Sequence, residues 1–294
     1  MKRSQMTGRF IRNFAKSKIA LVGLLLLVMI IIAAVFAPWL APQNPYDLMQ
    51  LDIMDSRMPP GSVSESSGMT YILGTDEQGR DMYSAILYGL RISVIVGVSS
   101  TVLALLIGMT VGLIAGYFGG RLETVIMRIA DIQLSFPSIL TAMILLALFG
   151  QGTGKIIIAL VASQWAYYAR TTRSAALVEH KKEYIEAARL LGLSTPRILM
   201  RHLLPNCLPP LIIVAALQVA AAISLEATLS FLGLGLPVTE PSLGLLISNG
   251  FQYLYSGRYW ISLFPGIALL LTIIAINLVA DQLRDVLNPR LQRQ

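Results

Sequence analysis

The chain has 294 residues, 55% of them hydrophobic and only 13% charged, whereas a soluble domain carries about 25% charged residues. With a mean hydropathy of +0.68, this composition excludes a disordered tail, a secreted disulfide scaffold and a cytosolic enzyme; the one cysteine, Cys207, can form neither an internal bridge nor a cysteine-cluster metal site. The net charge of +7 carries meaning only through where the charges fall.

A membrane span needs about 20 apolar residues, because a helix rises about 1.5 Å per residue through a hydrocarbon core about 30 Å thick. A basic tail, 1–18, precedes the first run, 19–39, placed as a transmembrane helix over 19–40. This run exceeds the h-region of a signal peptide, and Pro38 and Trp39 stand where a small-residue cleavage site would be, so it reads as an uncleaved anchor. The segment 41–91 is polar and rich in acids, with a turn-rich middle expected to be irregular. Further uncharged runs follow at 92–120, 132–154, 206–225 and 259–280. Pro137 is expected to kink the third of the five. A sixth run, 156–169, is short and ends in the interfacial aromatics Trp165, Tyr167 and Tyr168. It counts as a span because the basic segments otherwise fall on the wrong faces.

With the N-terminus inside, the inner faces hold the tail's Lys2, Arg3, Arg9, Arg12, Lys16 and Lys18, and a cluster in 170–205 that runs from Arg170 and Arg173 to Arg197 and Arg201. Of the 23 basic residues only Arg57, Arg80, Arg91, Lys155 and Arg258 lie outside. Such asymmetry sets topology. The expected fold is an all-α polytopic membrane protein of six helices with both ends cytoplasmic, the tail 282–294 included. The basic balance is topological and does not indicate nucleic acid.

The inner segment 170–205 reads as two short helices. In the first, Tyr184, Ala187/Ala188 and Leu191 share one apolar face while Lys182, Glu186 and Arg189 share another, and Gly192 sits at the C-terminal cap position. Thr195 is the expected N-cap of the second, with Pro196 in its first turn, and Pro205 opens the next span. The two make a helical elbow between the fourth and fifth spans.

The elbow's Glu186-Ala187-Ala188, with Gly192 four residues on and Leu204-Pro205 closing it, is similar to the EAA loop of permease subunits in bacterial binding-protein-dependent ABC importers; His202 stands where the family pattern has Ile. Gly74-Thr75-Asp76 with Gly79-Arg80-Asp81 and Ser84, the stretch from Leu229 to Gly235, and Leu283-Arg284-Asp285 with Pro289-Arg290 resemble the dipeptide/oligopeptide/nickel branch, in its C-type subunit. The resemblance implies the type I importer transmembrane domain, five helices over 92–281, in the cytoplasmic (inner) membrane. It implies a heterodimer with a second, homologous permease, two ATPase subunits and an extracytoplasmic solute-binding protein. It implies that the elbow docks on an ATPase, with Glu186, Ala187, Ala188, Gly192, Leu204 and Pro205 as the coupling residues. Small side chains at Ala187, Ala188 and Gly192 would let the partner approach. Glu186 would pair with a basic residue of the ATPase or bridge Lys182 and Arg189. ATP would be bound by the partners, and this chain is expected to hold no cofactor. The implied cargo is short peptides, with nickel, metallophores and glutathione as alternatives.

Glu226 is the one acid well inside an expected span, where a charge costs about 2.5–3.5 kcal/mol. It faces the bundle interior or water. Two readings stand: a residue lining the pathway or an outer gate, with Ser224, Thr228 and Ser230 beside it, or a structural pair with another span. Gly150 to Lys155 is no phosphate loop, because Phe149 and Ile156 break the pattern on the outer side. His180 and His202 read as surface residues rather than metal ligands, and no nucleophile–base arrangement suggests catalysis. The rival from another class, an ion-coupled secondary transporter, expects several buried carboxylates where only Glu226 is well placed.

Overall fold

In lipid every backbone polar group must be satisfied within the protein, so long apolar runs become helices. The computed structural model describes residues 12–287; most of the basic N-terminal tail and residues 288–294, with Pro289 and Arg290, lie outside the described residues. Helix α1 (Lys18–Val35) starts at Ser17, whose hydroxyl accepts from the Ala20 amide at 3.2 Å, and a short turn of helix, α2 (Ala37–Leu40), ends the first span.

The outer segment is more ordered than its composition suggests. A two-stranded antiparallel ribbon, β1 (Ser62–Val63) and β2 (Thr70–Tyr71), pairs Ser62 with Tyr71 across the turn-rich middle expected to be irregular. Beneath it Arg80 Nε bonds Asp76 Oδ2 at 2.6 Å with both side chains fully buried, and Arg80 Nη1 reaches the Val238 carbonyl at 3.2 Å. Trp260 Nε1 donates to the Thr75 carbonyl at 3.1 Å. Tyr71 donates to Asp55 Oδ2 at 2.8 Å; burial, and secondarily this carboxylate, push its phenol up to about 12. The residues that carry the outer-loop resemblance therefore knit segment 41–81 to the later outer loops.

Asp81 caps α3 (Met82–Phe118), accepting from the Ser84 amide and hydroxyl at 2.8 and 2.6 Å. At 37 residues the helix is about 55 Å long. It begins ten residues before the apolar run does, because the first span and the later helices cover its first turns: Met82 and Leu90 are buried in a cluster with Ile30, Ala34, Leu243 and Trp260, and Leu87 in one with Ala37.

The expected kink at Pro137 is a full break in the run over 132–154. Two helices, α4 (Gly120–Ser135) and α5 (Ser138–Phe149), meet at 90°. Pro137 has no amide hydrogen for the helical bond, and it forces Phe136 into the extended region (φ −95°, ψ 139°). Helix α4 is amphipathic, and its Asp131 and Glu123 pair with Arg170 and Arg173 of α6 (Thr153–His180). Helix α6 has 28 residues, about 42 Å, and runs well past the expected 156–169.

The chain then turns through α7 (Glu183–Leu190) and α8 (Thr195–Arg197), passes a π-helical turn (Ile198–Leu203) and continues without a break into α9 (Leu204–Phe231). Pro205 lacks the amide that would close the α-helical bond to the Arg201 carbonyl, and the Leu204 amide bonds the Leu199 carbonyl five residues back. Helices α10 (Leu243–Phe251) and α11 (Trp260–Leu287) complete the fold. Among the described residues four helices are long and apolar enough to cross a membrane alone, and the bent α4–α5 pair makes a fifth if it is one span. Helix α6 has the length but carries charge in its C-terminal half. The two ends of the described residues meet, Gln282 Nε2 donating to the Asn13 carbonyl at 3.2 Å.

Helices α3 and α6 pack along Gly108, Gly112 and Gly116. A Cβ on Gly108 would lie 2.4 Å from the Trp165 carbonyl oxygen, one on Gly112 2.4 Å from that of Ala169, and one on Gly116 2.7 Å from Ala176 Cβ. Small residues four apart permit this approach. Gly112→Leu is expected to destabilise the subunit by about 1–3 kcal/mol through overpacking, seen as a lowered thermal midpoint in detergent. Gly154→Leu, with open space around the site, leaves the midpoint unchanged.

Candidate functional site

The elbow is built from its cap outward. Helix α7 ends in a Schellman arrangement: the Gly192 amide bonds the Arg189 carbonyl at 2.9 Å and the Leu193 amide bonds the Ala188 carbonyl at 3.2 Å. Gly192 takes φ +70°, the left-handed conformation that this cap requires. Leu193 then folds back against Ala188 in an apolar cluster with Ile185, Ile198, Leu203 and Cys207.

This packing corrects three expectations. The buried face of α7 is Ile185 and Ala188, while Tyr184, Ala187 and Leu191 face out. Ala188 packs inward in the apolar cluster, so its side chain is not on the exposed edge of the elbow. The helix after the elbow takes Ser194 as its N-cap, one residue before the expected Thr195. Leu204 is half-buried against the same cluster and Pro205 is exposed in the first turn of α9.

The charged groups of α7 are arranged differently from the expected bridge. Lys182 Nζ pairs with Glu179 Oε1 at 2.5 Å, and Arg189 meets His180 and stacks over the Tyr117 ring, 4.8 Å from its centroid. Glu186 is exposed and forms no ion pair among the described residues. The outer edge of the elbow thus presents Glu186, Ala187 and Gly192 together with Leu190 and Leu191, which are 85% and 78% exposed.

A polar hub ties this edge to two long helices. Tyr184 donates to Glu179 Oε2 at 2.6 Å, at the end of α6, and Asn206 Nδ2, in the first turn of α9, donates to the Tyr184 hydroxyl at 3.1 Å. Burial works to raise the Glu179 carboxyl, but bonds from Lys182 and Tyr184 outweigh it and hold it below the usual range. Burial and the same carboxylate push the Tyr184 phenol up. Sequence reasoning missed this hub. Glu179, Tyr184 and Asn206 lie on three elements and share no periodicity.

Glu226 is fully buried between α9 and α3. Its Oε2 accepts from Ser93 at 3.0 Å and its Oε1 from Ser230 at 2.8 Å. Of the expected polar neighbours, Ser230 touches the carboxylate. Ser224 and Thr228 instead bond backbone carbonyls one turn earlier in their own helix. Ser93 comes from another helix, Ser242 also lies against the carboxylate, and neither Glu226 nor Ser230 reaches the open surface of this subunit.

Residues 108–293 match the family described as binding-protein-dependent transport system inner membrane component, and residues 5–60 match the N-terminal transmembrane domain of oligopeptide transport permease C. The di/tripeptide transport system permease protein DppC of Pseudomonas aeruginosa is 39% identical over 96% of this chain and 92% of its own. The dipeptide transport system permease protein DppC of Escherichia coli K12 is 41% identical over 97% and 93%, and that of Bacillus subtilis 36% identical over 96% and 85%. Among solved structures, an inward-facing form of the MetNI methionine ABC transporter superposes with a TM-score of 0.58 at 21% identity, covering 70% of this chain and 98% of that one, which establishes a shared fold.

Gly192→Val forces a branched side chain into the left-handed region, at a cost of about 1–2 kcal/mol. Faster hydrogen exchange at the amides of residues 192 and 193, with the rest of the protein unchanged, is the expected outcome.

Proposed function

Because the chain belongs to the family of binding-protein-dependent transport system inner membrane components, we propose that it forms half of the pathway through which an ATP-driven importer moves short peptides across the cytoplasmic membrane. The observation that carries this reading is the elbow: an exposed apolar edge with an unpaired carboxylate, capped at Gly192 and tied to α6 and α9 through Tyr184. Peptide cargo is supported by three relatives named for dipeptide or di/tripeptide transport.

In this reading a second, homologous permease supplies the other half of the pathway, two ATPases hydrolyse ATP, and a solute-binding protein delivers cargo from outside. Leu190, Leu191 and Ala187 seat against the ATPase and Glu186 pairs with one of its basic groups. When the ATPases close, the elbow is pulled. The Tyr184–Glu179 and Asn206–Tyr184 bonds pass that displacement to α6 and α9 together, and the packed α3–α6 seam carries α3 with them. The spans thereby alternate between inward- and outward-facing arrangements. Glu226, held by two serine hydroxyls away from the open surface, gives a structural tie between α3 and α9 rather than an ion-coupling site.

The test is reconstitution with the partner subunits in liposomes, following ATP-dependent uptake of a labelled dipeptide beside ATP hydrolysis. Wild type is expected to take up peptide only with ATP. Gly192→Trp loses the ATPases on affinity purification. Tyr184→Phe retains hydrolysis while uptake per ATP falls several-fold. Uptake by this subunit alone, without ATP, would falsify the importer reading.

A further inference from the structure

At the outer end, the start of α3, the start of α6, the outer segment and the loop between α9 and α10 enclose a small open cavity of about 220 Å³ lined by Tyr46, Tyr88, Arg91, Thr153 and Glu240. It holds one cation and one anion that do not neutralise each other. Arg91 makes no hydrogen bond or ion pair among the described residues, although it is part-buried. Glu240 uses Oε2 to accept from the Thr153 hydroxyl at 3.1 Å, and its other oxygen has no hydrogen-bond partner there. The rings of Tyr46 and Tyr88 meet edge to face at 5.2 Å, giving an amphipathic wall between the charges. The Tyr46 phenol senses both groups: burial pushes it up to about 12, the Glu240 charge adds to that and Arg91 opposes it.

Two unspent opposite charges in one small, aromatic-walled cavity are complementary to a compact zwitterion. A lone anion would meet Glu240 and a lone cation would meet Arg91, each repelled at short range. A ligand with both termini charged satisfies both, with the guanidinium fork taking a carboxylate in two parallel bonds. An ammonium beside Tyr46 and Tyr88 also gains from the negative faces of the rings.

We propose that this cavity is a zwitterion subsite at the outer mouth of the permease, in which Arg91 takes the α-carboxylate and Glu240 the α-ammonium of an incoming short peptide. The proposal rests on the peptide-import reading. The same chemistry is offered by the phosphoethanolamine headgroup of a lipid, a phosphate in place of the carboxylate. The charged groups select on the free termini, while Ile92 and Ile95 complete the lining as apolar wall.

The test uses the complete importer in nanodiscs without its binding protein and reads ligand contact by saturation-transfer NMR. The probes are Ala-Ala, N-acetyl-Ala-Ala-amide and glycerophosphoethanolamine. Expected is a signal for Ala-Ala with none for the blocked peptide. That signal should fall at least fivefold in Arg91→Gln and in Glu240→Gln, and return in the double exchange Arg91→Glu/Glu240→Arg, where the zwitterion binds in reverse. The recovered double variant also shows that the outer face still folds. Equal signals for Ala-Ala and the blocked peptide, or single variants that bind like wild type, overturn the site. A signal from glycerophosphoethanolamine alone, sensitive to the same substitutions, overturns the peptide assignment and gives the cavity to a lipid headgroup. ATP-driven dipeptide uptake by the wild-type complex is measured in parallel. Uptake without cavity binding sinks this inference alone, whereas cavity binding without uptake sinks the import reading and leaves a zwitterion site.

Discussion

Three glycines spaced four apart on α3 let α6 lie close enough for its carbonyl oxygens to occupy the space where side chains would stand, and most of the architecture depends on that contact. Without a hydrophobic force between helices in lipid, close van der Waals packing has to hold them. Helix α6 in turn anchors α4 through Arg170 and Arg173 and ends in Glu179, the residue to which the elbow is tied. The seam therefore makes α3 and α6 one body, with the elbow as its handle.

The two ends of this body are organised by different physics. At the elbow, an apolar cluster around Ala188 and Leu203 fixes the inner face of α7 and leaves Leu190 and Leu191 in solvent. Exposed leucines outside the lipid carry no benefit of their own, and a partner that covers them removes apolar area from water. At the outer end, the Asp76–Arg80 pair is fully buried. Taking such a pair out of water is costly and stabilises only when the geometry is good. Here Arg80 spends a further bond on Val238, so the pair sets where the outer segment sits against the loop after α9. That placement also brings Tyr46 and Glu240 to one cavity with Arg91.

Much of the elbow was legible because its signals are local. Gly192 followed an amphipathic turn at the spacing a C-terminal cap needs, and the backbone there is left-handed. The face of α7 was not legible. Eight residues contain apolar groups on more than one side, and only the cluster formed with Ile198, Leu203 and Cys207, which arrive later in the chain, decides that Ile185 and Ala188 turn inward. Pro137 marked a break, but a proline fixes where a helix ends and leaves open the angle at which the next begins; in the folded chain that angle is 90°, with α4 lying against α6 through the Asp131–Arg170 and Glu123–Arg173 pairs.

By itself, the sequence determined the membrane environment, the approximate spans, the two polar segments and the capped elbow, because hydropathy, charge asymmetry and capping act over a few neighbouring residues. The tertiary structure alone decided what Glu226 binds, since Ser93 lies 133 positions away, and it alone joined Tyr184 to Glu179 and Asn206. It also decided that Arg91 and Glu240 share a cavity while Lys182 and Glu186 do not share a bond. Long-range pairing is set by how helices pack, and packing depends on shape complementarity between distant surfaces, which no local pattern encodes.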